Sequence, residues 1–63
     1  MNPDLEKIRW LRDTAKILRD NETHSAKRLT FDPEKASHHR GRASAFDFVA
    51  ADLTRYLNER GVQ

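Results

Sequence analysis

The chain has no cysteine, only two glycines and two prolines, and no apolar run that approaches the roughly 20 residues of a membrane span. The missing cysteine excludes disulfides, thiolate metal sites and a cysteine nucleophile. The shortage of glycine removes phosphate-cradling loops, since no Gly-rich motif ending in Lys-Ser or Lys-Thr is present. The first residues, Met1-Asn2-Pro3-Asp4, lack the basic-then-apolar order of a secretory leader, so a cytoplasmic chain is expected. Starting at Met1 and closing just past Gly61, it reads as a short reading frame with room for one domain, residues 1–63.

What is present is charge and helical periodicity. Charged residues make up 35% and hydrophobic residues 37%, yet the apolar positions cluster at helical spacing, which argues for folding and against disorder. A chain of 63 residues buries about 60% of its unfolded surface, so helix packing and oligomerisation must supply what disulfides cannot.

Asn2-Pro3-Asp4 is a helix start: Asn caps free N–H groups, Pro fits the first turn and Asp faces the positive end of the dipole. The first helix is expected over residues 3–20, with Leu5, Ile8, Leu11, Ala15 and Leu18 on one stripe. Trp10 and Ile17, with Thr14 between them, fall on another side. Polar residues then dominate, and 21–32 reads as a connection in which Arg28-Leu29-Thr30-Phe31 alternates like a short strand, one that would pair with its copy in a second subunit.

Asp32-Pro33-Glu34 repeats the cap, and a second helix is expected over 33–60 with Gly61 as its stop. Gly41 is its weak point, because a mid-helix glycine costs about 1 kcal/mol relative to alanine. A break there would leave a short basic helix and a main one from Arg42. Ala43, Phe46, Ala50, Leu53 and Leu57 follow a 3-4-3-4 spacing, widened by Ala45, Val49 and Tyr56, while Phe48 points elsewhere. The fold expected is all-α, an antiparallel hairpin in which the first helix and the stretch 42–60 are each about 27 Å long at 1.5 Å per residue. Two helices cannot enclose Trp10, Thr14, Ile17 and Phe48 as well, so these are the expected interface of a helical-bundle dimer or higher oligomer, or of a docked protein.

Basic character is local. Residues 24–42 hold Lys27, Arg28, Lys35, Arg40 and Arg42 against Asp32 and Glu34, together with His24, His38 and His39. Two guanidiniums, two imidazoles and the hydroxyls of Ser37 and Ser44 flank Gly41, and a helix restarting there would add free N–H groups. His38, His39, Arg40, Arg42, Ser44, Lys35, Lys27 and Arg28 are therefore the expected ligand-binding set, for a nucleotide, another anionic ligand or an acidic surface. Adjacent histidines point about 100° apart and form no i, i+4 pair, so no metal is expected. Nor is any other cofactor, and the chain reads as a non-enzyme.

The reading of function is a small oligomeric binding or regulatory protein that sequesters an anion through this segment. The alternative is a protein–protein inhibitor or adaptor, such as a mobile-element accessory protein, docking through its Trp/Phe patch. Non-specific nucleic-acid binding is the weakest of the three, because aromatics do not interleave with the basic stretch and Pro33 to Arg40 offers only Ala36 as an apolar contact.

Overall fold

The cap signals act where the sequence puts them. In the computed structural model, which describes residues 2–63, Asn2 Oδ1 accepts from the Asp4 N–H at 2.8 Å and opens helix α1, Pro3–Arg28. Asp32 Oδ1 accepts from the Lys35 N–H at 3.1 Å and opens helix α2, Pro33–Glu59. Gly61, at φ +71°, closes α2: its N–H donates to the Asn58 carbonyl at 3.0 Å, and the Val62 N–H reaches the Leu57 carbonyl at 2.9 Å. That pair of bonds is the Schellman stop, which needs a residue free to adopt positive φ.

The two helices pack on each other as a hairpin 46 Å long and 15 by 13 Å across. One expectation needs correcting, and two points the sequence leaves open are decided. The first helix does not stop at Asp20 but continues to Arg28, so the connection is Leu29 to Asp32 instead of 21–32. Glu, Ala, Lys and Arg are good helix formers, and the polar side chains at the inner positions find partners across the hairpin, so loss of apolar periodicity did not mean loss of helix. Arg28 to Phe31 is the end of a helix and a turn; no strand occurs among the described residues. Gly41 does not break α2. Its penalty of about 1 kcal/mol is carried by long helical flanks on both sides.

The seam is a seven-residue repeat, lettered a to g. In α1 and its cap the a positions are Leu5, Arg12, Arg19 and Ala26 and the d positions Ile8, Ala15, Glu22 and Leu29. In α2 the a positions are Ala36, Ala43, Ala50 and Leu57 and the d positions His39, Phe46 and Leu53. All fifteen are buried or half-buried. Small alanines let the backbones approach, and Leu57 is the one large side chain that is completely enclosed. The expected core stripe therefore needs a further correction. Ala15, Ala50 and Leu57 are buried, and Leu5, Ile8, Phe46 and Leu53 half-buried, but Leu11, Leu18 and Val49 remain 40, 40 and 45% exposed. The seam of α1 holds Arg12, Arg19 and Glu22 where large apolar residues are expected.

Candidate docking surface

Cross-helix pairs fix the register of the hairpin. Arg19 Nη1 donates to Asp47 Oδ1 at 2.9 Å, and Arg42 Nη2 lies 3.3 Å from Glu22 Oε1. In an antiparallel pair of heptads the g positions of both helices flank one side of the seam and the e positions flank the other. The pairs agree, since Asp47 is an e residue and Arg42 a g residue.

The two sides differ sharply. The e side carries Arg9, Lys16, Arg40, Asp47 and Thr54, and an open groove there has Ala50 and Ala51 at its floor between Lys16, Arg19, Asp47, Thr54, Arg55 and Asn58. The g side carries Leu11 and Leu18 from α1 and Val49 and Tyr56 from α2. By the register Leu18 lies level with Val49 and Leu11 with Tyr56. On the backs of the helices, at f positions about 100° from the g row and from the e row alike, stand Trp10, Ile17 and Phe48, which are 62, 60 and 73% exposed. Thr14, half-buried, sits between the two α1 rows. Four of the eight large exposed apolar side chains among the described residues thus share the g side; Trp10, Ile17 and Phe48 lie on the backs of the helices, and Phe31 is at the turn. The Arg60 guanidinium stacks 3.4 Å above the Tyr56 ring at its open end.

Near the turn the seam is polar. Glu22 is largely enclosed; its Oε2 accepts from His39 Nδ1 at 2.5 Å and its Oε1 faces Arg42. An ionised carboxylate only accepts, so the proton of this bond sits on Nδ1. The His39 hydrogen bond holds the Glu22 carboxyl below the usual carboxylate range; the loss of hydration opposes it, and the Arg42 charge assists. At the other end the enclosed Arg12 donates from Nη2 to the Gln63 carbonyl at 3.1 Å and from Nε to Asp13 at 2.9 Å.

The expected anion-binding residues are not gathered into one cradle. His39 and Arg42 turn onto Glu22. His38 is exposed beside His39, with ring centroids 6.0 Å apart. Arg40 lies on the e side, Ser44 at a b position and Lys35 at a g position. Lys27 and Arg28, in the last turn of α1, complement its dipole. With α2 continuous, no free N–H groups open after Gly41. An open groove over Asp32, Glu34, Lys35, Ser37, His38 and His39 gathers a mixed-charge lining. Among the described residues no three His, Asp or Glu side chains cluster as a metal site, and no helix is long and apolar enough to cross a membrane.

Sequence reasoning missed Glu22, Arg19 and Arg12 as seam residues. The signal available was the alanine at every seventh position, 36, 43 and 50, which marks the inner row of α2 independently of large apolar residues. Compared with known proteins, the chain matches no family model, no curated protein and no solved structure.

Proposed function

We propose that this is a non-enzymatic protein-interaction module, a small regulatory or adaptor protein that acts by docking its g side onto a protein surface. The observation that carries the reading is the segregation of Leu11, Leu18, Val49 and Tyr56 onto one side of the seam, while the opposite side presents Arg9, Lys16, Arg40 and Asp47. Apolar side chains scattered singly need no explanation, but a contiguous group on one side of a soluble helical pair marks a contact surface. A helix face presented at i, i+3, i+4 and i+7 is a recurrent way for proteins to recognise one another.

Binding of a nucleotide or other anion has less beneath it. Two of its best donors, His39 and Arg42, already hold Glu22, and the remaining bases point to different sides.

Trp10 is the only tryptophan, so a single fluorine label reports on this side. With 5-fluorotryptophan at Trp10, the docked protein gives a broadened and displaced fluorine resonance in the cell. Leu18→Glu with Val49→Glu restores the sharp signal of the free side chain. A sharp, undisplaced signal from the wild-type chain both in the cell and in concentrated solution overturns the reading.

A further inference from the structure

We infer that the occupant of the g side is a second copy of this chain, laid antiparallel so that the two turns lie at opposite ends of a four-helix bundle. The inference rests on the docking reading above and names its partner. Three observations carry it.

The first is area. The hairpin exposes 4818 Å², whereas a compact chain of its 7.4 kDa is expected to expose only about 4,200 Å². A compact particle of twice the mass would expose about 7,000 Å², so pairing two hairpins removes on the order of 2,600 Å². That lies in the range of obligate dimers, roughly 2,000–5,000 Å².

The second is self-complementarity. Because Leu11 is level with Tyr56 and Leu18 with Val49, a two-fold axis crossing α1 midway between Leu11 and Leu18 also crosses α2 midway between Val49 and Tyr56. One rotation therefore sets Leu11 against the partner's Leu18 and Val49 against the partner's Tyr56. A closed two-fold contact requires this kind of match. The charged e sides then face outward.

The third is charge. The turn end of the g side carries Arg28, Lys35 and Arg42, with Glu34 beside them. The open end carries Asp4, Asp52 and Glu59 balanced by Lys7, Arg55 and the Arg60 stacked on Tyr56. An antiparallel copy sets each basic turn end over a balanced open end, whereas a copy with its turn at the same end sets bases against bases. Charge distributions of this kind fix orientation more than affinity.

Sedimentation equilibrium of the full chain, from low to hundreds of micromolar, is expected to give twice 7.4 kDa. Leu18→Glu with Val49→Glu is expected to abolish the dimer. Should that variant unfold, orientation is read in an otherwise wild-type chain, where any cysteine introduced is the only one. Thr14→Cys lies beside the axis and is expected to cross-link to its copy under mild oxidation. Asn21→Cys, one heptad toward the turn, is expected not to, since antiparallel copies place it about 20 Å from itself at 1.5 Å per residue.

A chain that stays at 7.4 kDa throughout overturns the second copy and leaves the docking reading to the fluorine experiment. A dimer that survives the double glutamate variant overturns both. Cross-linking at neither position, or equally at both, overturns the antiparallel arrangement.

Discussion

The seam between the helices and the g side beside it have exchanged the residues one would assign them. Inside, α2 presents Ala36, Ala43 and Ala50, and α1 presents Arg12, Arg19 and Glu22 among its apolar positions; outside stand Leu11, Leu18, Val49, Trp10, Ile17 and Phe48. The seam is narrow because small residues allow close approach, so it buries little area for its length. Large apolar side chains stand outside the seam, where a single hairpin leaves them in water. The seam sets the geometry of the hairpin, and under the dimer proposed above the g side would supply burial.

The largest expected effect is at the one point where the seam is conventionally packed. Leu57 is completely enclosed, and Leu57→Ala should cost about 2–5 kcal/mol. In a chain this small that is enough to leave much of it unfolded, as urea titration followed by helical circular dichroism would record. Next comes overfilling: Ala50, 2% exposed, is an inner residue of the close-packed seam. Ala50→Leu should cost about 1–3 kcal/mol by forcing the helices apart. Ile17→Ala, on the back of α1, supplies the contrast. In the isolated hairpin it should stay within about 0.5 kcal/mol, and any additional loss should grow with protein concentration, as mass action requires of a contact made between molecules. Equal costs for Ala50→Leu and Ile17→Ala at every concentration would erase the distinction between seam and side.

A smaller effect, of opposite sign, is expected at Gly41. A Cβ there meets nothing within 4 Å, and the helix runs through it. Gly41→Ala should stabilise by up to about 1 kcal/mol and raise the melting temperature. Gly61→Ala, at φ +71°, should lower it by a comparable amount. If Gly41→Ala destabilises, the continuity of α2 is wrong.

These sites also mark what the sequence made legible. Caps at Asn2-Pro3 and Asp32-Pro33 and the stop at Gly61 are local chemistry, and each acts within four residues of itself, so they were readable one at a time. The surplus of Trp10, Ile17 and Phe48 was readable because they fall off any single stripe. The seam of α1 was not. Arg12, Arg19 and Glu22 look like a solvated face until their partners Gln63, Asp47, His39 and Arg42 are brought opposite, and those partners lie 17 to 51 positions away. The same blindness ended α1 eight residues early on paper, because 21–28 holds its inner positions with Glu22 and Ala26 and no large apolar residue.

The smallest effect tests whether that polar half of the seam contributes to stability. Glu22 titrates below the usual carboxylate range in the folded chain, chiefly through the His39 hydrogen bond. A carboxyl whose folded pKa is lowered stabilises the fold in full above its unfolded value, and that contribution is lost as pH falls through the folded one. Stability from Glu22 is therefore present at neutral pH and disappears only in the acid range below the ordinary 4.5. Glu22→Gln should melt below wild type at neutral pH, because it leaves His39 and Arg42 turned toward one another without the anion between them. The gap should close as pH falls through the lowered folded value, below which wild-type Glu22 is itself protonated. Equal melting temperatures at neutral pH would mean that the lost hydration of the carboxylate cancels its two contacts, as can happen for enclosed ion pairs. The polar half of the seam would then set register without adding stability, and the hairpin would depend still more on what covers its apolar side.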